Sequence, residues 1–405
     1  MTVTMSLSPE VERLLGAVRE WSVSEVRPLA RQSDTDGVYP SPEVAAKVLS
    51  TCPIDFCPMG FEELGEDPAR RKGWAALLEG GSNVLGCLVM EEMGYGDGWA
   101  WQVLPGGRLS ERVIRKVGTP EQVERWVGGV DRGEYRMTAI AMTEQEVGSD
   151  ISRMQLSAVR DGDCWVLNGR KRFISNGGLA DYLLVFATVD PTLGHRGIRA
   201  FMVERGTPGF TVSDAKLDKI GFRHTPQATL DFDDVRLPLD QCLGDPDNAG
   251  RDTATALTEF NATRPYCVAW ATGMARAASD VAWDWVEQHR GEFATARFSM
   301  LAAEHQRMRD ALDDGRRMIL RAAWHRDRGL PNMVESSMAK ALVAPVVERV
   351  VLRSLQMMGT EACSERHLIE KWYRDAKMFD IVEGTGQILR ITISRQQLGS
   401  GASRS

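Results

Sequence analysis

The chain has 405 residues, 43% hydrophobic and 26% charged, which excludes a disordered protein and gives length enough for two or three domains around a large core. A net charge of -7, from 49 Lys plus Arg against 56 Asp plus Glu, argues against a general nucleic-acid binder. No run reaches the roughly 18 apolar residues of a membrane span and no basic segment followed by an apolar one opens the chain, so a soluble cytoplasmic protein without a membrane partner is expected.

From about Pro9 to Arg132 the apolar spacing is helical, over Val11 to Val26, Pro42 to Leu49, Val84 to Met93 and Leu109 to Val117. Thr119-Pro120-Glu121-Gln122 reads as a helix start, with Pro120 at the first helical position and Gln122 at the third. Between Met137 and Pro238 the pattern changes to short runs rich in Val, Ile, Phe and Thr: Met154 to Val159, Trp165 to Ser175, Tyr182 to Thr188, Ala200 to Glu204, Phe210 to Val212 and Ala228 to Phe232. Turns such as Asp161-Gly162-Asp163 and Asn176-Gly177-Gly178 separate them, which predicts antiparallel pairing. After Leu243-Gly244 long helices return, about Ala254 to His289, Met300 to Arg328, Met333 to Met358 and Glu365 to Phe379, with a last run after Thr385. The expected fold class is α+β: an N-terminal helical domain (1–135), a middle antiparallel β domain (136–245) and a C-terminal helical bundle (246–405).

The seven cysteines are scattered and odd in number, and Cys52 and Cys57, the closest pair, have no second pair to complete a zinc site. The six histidines are equally dispersed, so no metal is expected. There is no GxGxxG after a strand and no GxxxxGK[ST] loop, which removes Rossmann and P-loop nucleotide sites.

The segment Asp380-Ile381-Val382-Glu383-Gly384-Thr385-Gly386-Gln387-Ile388 sets one carboxylate at a glycine-relieved break between two apolar helical runs, with Thr385 placed to cap the second. A carboxylate there loses hydration, its pKa rises, and it becomes a better base near neutral pH. On this segment alone a solvated loop Glu is the favoured reading. Two other segments stand out: Ala141 to Asp150, with hydroxyls around a glycine turn, and Lys171 to Gly178, which alternates an aromatic and hydroxyls at a strand end. Each also reads as ordinary turn or hairpin chemistry.

Taken in order, these segments resemble the acyl-CoA dehydrogenase family over nearly the whole chain. AMTEQEVGSD resembles that family's TEPxAGSD loop and KRFISNGGLAD its KxWITNGxxAD strand. KIGFRHTPQATLDFDDVRLP resembles its KxGxRxSxTxxLxFDDVxVP segment, and RDAKMFDIVEGTGQILRITISR its RDxRxxxIYEGTxxIxRxxIAR signature. The resemblance implies an FAD between the β domain and the C-terminal helices, in a homo-oligomer (dimer or tetramer) whose neighbouring subunit supplies part of each site. It implies FAD contacts for Met142, Thr143, Phe173, Ser175, Arg297, Gln306, Gln356, Thr385 and Gln387. Phe173 stands for the usual Trp and Ser175 for the usual Thr. Substrate contacts are implied for Ser149, Asn261, Arg264, Gly384 and Arg395, and Trp99-Ala100-Trp101 falls where the acyl pocket floor would lie, with core packing as the other reading.

The implied reaction is α,β-dehydrogenation of an acyl thioester to the trans-2-enoyl product. Glu383 is the α-proton base and the flavin N5 the hydride acceptor, while the Glu383 amide and an FAD ribityl hydroxyl polarise the carbonyl. Some branches place the base where this chain has Thr263, which cannot serve. The substrate is expected as a thioester of CoA or of an acyl carrier protein, and the electron acceptor as an electron-transfer flavoprotein. Two departures leave a flavin monooxygenase or a non-catalytic subunit open: Thr295 replaces the Arg of the family's Arg-x-x-Phe-Gly, with Arg297 two positions on, and Thr360 replaces the second Gly of Gln-x-x-Gly-Gly.

Overall fold

The first helices begin where side chains can satisfy their open amides. In the computed structural model, which describes residues 7–53, 82–100, 109–244, 256 and 258–399, the Ser8 hydroxyl accepts from the Val11 amide at the head of α1 (Pro9–Trp21). The expected single helix to Val26 instead turns into one π-helical turn at Ser22, whose hydroxyl donates to the Glu92 carbonyl. There follow α2 (Ala30–Asp36), α3 (Pro42–Ser50), α4 (Ser82–Gly96), α5 (Leu109–Val117) and α6 (Pro120–Asp131). Helix α6 carries a full capping box between Thr119 and Gln122. Cys57, Trp101 and the expected helix start at Ala254 lie outside the described residues.

The middle sheet has strands β1 (Thr138–Ala141), β2 (Ser157–Asp161), β3 (Cys164–Ser175), β4 (Tyr182–Thr188), β5 (Ile198–Glu204), β6 (Phe210–Asp214) and β7 (Gln227–Pro238). The β2–β3, β3–β7, β4–β5 and β6–β7 pairs are antiparallel as expected. Two contacts are parallel: β1 beside β4, and β2 meeting β4 at Ser157–Thr188. Antiparallel neighbours announce themselves through a turn, whereas parallel ones are joined by long connections that leave no local signal. β4 is buried along its whole length. Leu183, Val185 and Ala187 face the sheet's own core, while Tyr182, Leu184 and Phe186 pack with Val113, Ile114, Trp126 and Val127 of α5 and α6.

The C-terminal part contains α7 (Phe260–Gln288), α8 (Thr295–Asp327), α9 (Met333–Met358), α10 (Ile369–Ala376) and α11 (Gly386–Leu398). One apolar core joins α1, α4 and α7 to α10. Trp99 belongs to it: the ring is fully buried and its Nε1 donates to the Val26 carbonyl at 2.9 Å, so core packing accounts for it. No helix among the described residues is long and apolar enough to cross a membrane.

Among the described residues two helices carry a proline in their interior, and each such proline frees a carbonyl four residues back. Pro265 in α7 frees that of Asn261, which accepts from Asn332 Nδ2 at 3.2 Å. Pro345 in α9 frees that of Ala341, which accepts from Arg390 Nη2 of α11 at 2.9 Å.

Helices α4 and α7 touch backbone to backbone. A Cβ at Gly273 would lie 1.8 Å from the Glu91 carbonyl oxygen, and one at Gly94 would lie 2.2 Å from that of Trp270. Gly273→Ala is therefore expected to lower stability by about 1–3 kcal/mol through overpacking, read as a lower midpoint in denaturant unfolding with an unchanged slope.

Candidate active site

The segment after α10 makes a 3-10 turn over Lys377–Asp380 and then reverses through two left-handed residues, Glu383 (φ 60) and Gly384 (φ 94). Gly384 adopts this conformation freely, whereas at Glu383 the Cβ makes it cost about 1–2 kcal/mol. Side chains from two helices hold it. Arg264 Nε of α7 donates to the Glu383 carbonyl at 3.0 Å, and Lys340 Nζ of α9 donates to the Gly384 carbonyl at 2.9 Å. Thr385 then caps α11, its hydroxyl accepting from the Ile388 amide.

The Glu383 carboxylate accepts from the Thr263 hydroxyl at 2.8 Å. Burial pushes its pKa up, while the Thr263 bond and the charges of Arg264 and Lys340 pull it down. Cys267, one helical turn beyond Thr263, has its thiol pushed up to about 12 by burial and the nearby Glu383, so it stays neutral. The site thus pairs a desolvated carboxylate with one hydroxyl donor and two cations, the makings of a general base. No other backbone or side-chain group among the described residues receives the Glu383 amide.

The sheet reaches this segment through the 142–150 loop. Ser149 Oγ lies 3.1 Å from Thr385 Oγ1. A buried ion pair fixes the loop: Lys171 Nζ donates to the Met142 carbonyl and to Glu144 Oε1, each at 2.9 Å, and Glu144 also accepts from the Gln155 and Leu156 amides. Burial brings the Lys171 pKa down to about 8 against the pull of Glu144. The Arg172 amide donates to the Thr143 carbonyl, and β3 then shifts register against β7 between Lys171 and Ile174. At that bulge Phe173 takes φ 61 and is 45% exposed, and Ser175 Oγ accepts from Gln227 Nε2 at 3.2 Å.

Of the residues singled out in the sequence, Glu383, Gly384, Thr385, Ser149, Asn261 and Arg264 come together. Asn261 Oδ1 accepts from Arg264 Nη1, the same guanidinium whose Nε holds the Glu383 carbonyl. Met142, Thr143, Phe173 and Ser175 line the adjoining strand ends, and Gln387 is exposed in the first turn of α11. Arg395, also exposed, lies about 12 Å further along that helix. Gln356 is about 24 Å along α9 from Lys340. There it accepts from Arg353, which pairs with Glu304 beside Gln306, and Gln306 donates to Asp310. Arg297 is exposed at the start of α8, so these three residues are not brought to Glu383 within one chain. Sequence reasoning gave no role to Lys340, Lys171 or Glu144; a lone lysine amid Ala339, Ala341 and Val343 was the available signal for the first.

A helix, sheet, helix chain that sets a shielded carboxylate just ahead of a capped helix start, with the 142–150 loop of the sheet reaching that start, has the layout of an enzyme site. The family model described as "Acyl-CoA dehydrogenase, middle domain" matches residues 139–235, and that described as "Acyl-CoA dehydrogenase, C-terminal domain" matches residues 250–398. Mycobacterium tuberculosis "Probable acyl-CoA dehydrogenase FadE25" is 31% identical over 97% of this chain and 96% of its own length. The human "Short-chain specific acyl-CoA dehydrogenase, mitochondrial" is 30% identical over 97% and 91% respectively. The solved butyryl-CoA dehydrogenase of Megasphaera elsdenii superposes with a TM-score of 0.83 at 27% identity, over 98% of this chain and 100% of that one. The chain belongs to the acyl-CoA dehydrogenase family and is an oxidoreductase of that type.

Removing one half of the loop's ion pair leaves the other charge buried and alone. Lys171→Met is expected to cost about 3–5 kcal/mol, and adding Glu144→Gln should recover part of it, measured by denaturant unfolding of the single and double variants.

Proposed function

We propose that the protein performs FAD-dependent α,β-dehydrogenation of an acyl-CoA, with Glu383 as the base that removes the α proton. The observation that carries this reading is the Glu383 carboxylate itself, shielded enough to gain basicity yet kept ionisable by Thr263, Arg264 and Lys340. An α proton of a thioester is a very weak acid, so a base alone is insufficient. The free Glu383 amide is the group of this chain suited to stabilise the developing negative charge on the thioester oxygen.

The residues present fit a flavin dinucleotide. Phe173 offers an exposed aromatic face, Met142, Thr143 and Ser175 offer adjoining contacts, and Thr385 and Gln387 mark a 13-residue helix start whose open amides favour a phosphate or a ribose. When bound, FAD supplies the acceptor for the β hydrogen as hydride. Ser149 and Gly384 stand at the substrate side, Asn261 and Arg264 support the loop there, and Arg395 meets the more distant part of the ligand. Arg297, Gln306 and Gln356 serve the site of a neighbouring copy, which makes the working form a homo-oligomer. The exposed Leu342 and Ile391 on α9 and α11 support association. A short acyl group is the preferred substrate, supported by the short-chain and butyryl names of two relatives.

Glu383→Gln is expected to retain bound FAD but to slow bleaching of its absorbance by butyryl-CoA under anaerobic conditions about 10²- to 10⁴-fold. Bleaching at the wild-type rate refutes the assignment of the base, and faster wild-type bleaching by palmitoyl-CoA than by butyryl-CoA refutes the chain length.

A further inference from the structure

Three lysines are fully buried among the described residues, and one of them differs from the others. Lys171 pairs with Glu144, and Lys371 pairs with Asp97 and Asp375. Lys340 has no carboxylate within 4.0 Å among the described residues, and its one hydrogen bond goes to a neutral acceptor, the Gly384 carbonyl. A buried ammonium with three donors and a single carbonyl partner is costly to keep, so its position calls for a use.

The backbone supplies one. In a planar trans peptide the N–H points opposite to the C=O. Holding the Glu383 carbonyl on Arg264 and the Gly384 carbonyl on Lys340 therefore turns the amides of Gly384 and Thr385 away from α7 and α9. Neither amide has a partner among the described residues. We propose that Lys340 is a positioning residue of the site: with Arg264 it locks the left-handed Glu383–Gly384 pair, presents the following amides to the ligand, and supplies the positive field that the Glu383 carboxylate needs.

The groups facing Glu383 are Thr263, Arg264 and Cys267 from α7 and Lys340 from α9; Asp380 of its own segment acts on Lys340. Cys267 carries no charge near neutral pH, which leaves Arg264 and Lys340 as the cations that counter burial. Removing Lys340 raises the Glu383 pKa, and a reaction that needs the ionised carboxylate then loses more rate at pH 6 than at pH 9. Only this pH readout rests on the proton-abstraction reading.

The test compares Lys340→Met, Lys340→Gln and Lys340→Arg in the FAD-loaded protein. Hydrogen exchange of the 381–389 backbone should be about tenfold faster in the Met variant, the loss of one ordinary hydrogen bond, and near wild type in the Arg variant. The acid limb of the butyryl-CoA bleaching profile should move up by about 1 pH unit in the Met and Gln variants and be restored by Arg. Wild-type exchange in the Met variant, or a rate loss equal at all pH values in the Met and Gln variants, overturns the proposal. If the wild-type protein does not bleach with any acyl-CoA, the dehydrogenation reading fails, while exchange still decides the clamp. Should the Met variant not fold, the Gln variant, which keeps a donor without its charge, decides through the pH profile.

Discussion

Two carbonyl oxygens in succession, each taken by a cation from a different helix, hold the segment on which the whole site depends. A glutamate in the left-handed region is strained, and the strain persists only if its surroundings overdetermine it. Charge-assisted hydrogen bonds of about 1.5–3 kcal/mol each are enough to offset that cost. Their geometry has a second effect, since helices α7 and α9 become the fixed points against which the carboxylate is aimed. Thr263, on the same helix as Arg264, then meets the carboxylate without any adjustment of the loop.

The sheet is locked to this frame by a separate set of buried polar contacts. Loop 215–226 presses on α10 so closely that a Cβ at Gly221 would lie 2.2 Å from the Arg374 carbonyl oxygen, and the Phe222 amide donates to Asp375, itself paired with the buried Lys371. Helix α10 leads directly into the 3-10 turn before Glu383. Strand ends bearing Phe173 and Ser175 are thereby referred to the same short helix as the carboxylate. The Lys171–Glu144 pair does the corresponding work on the sheet's own side, tying the 142–150 loop to β3 two residues before the bulge.

Much of this was legible in the chain because local chemistry announces it. Thr119 with Gln122, and Thr385 before its apolar run, are caps that sequence alone identifies, and both cap their helices. Tyr182–Thr188 and Met333–Met358 have the bounds that their patterns predict. What escaped detection depends on elements distant in sequence. The parallel β1–β4 contact joins residues 138–141 to 182–185, and β1 is too short to show a period. Lys340 and Lys171 gain their meaning only from the carbonyls and carboxylate that the fold sets beside them. Arg297, Gln306 and Gln356 could be read as parts of one site, but a helix of fixed rise carries them away from Glu383.

The proline in α9 has a consequence for how this enzyme tolerates change. Because the Ala341 oxygen released by Pro345 is what Arg390 grips, α11 is moored through main-chain chemistry and not through the side chain at 341. The exposed positions of α11 other than Arg390 are thus decoupled from the bearing of the Glu383 carboxylate, and substitutions there are free to remodel contacts with other molecules while the Glu383 loop stays in place.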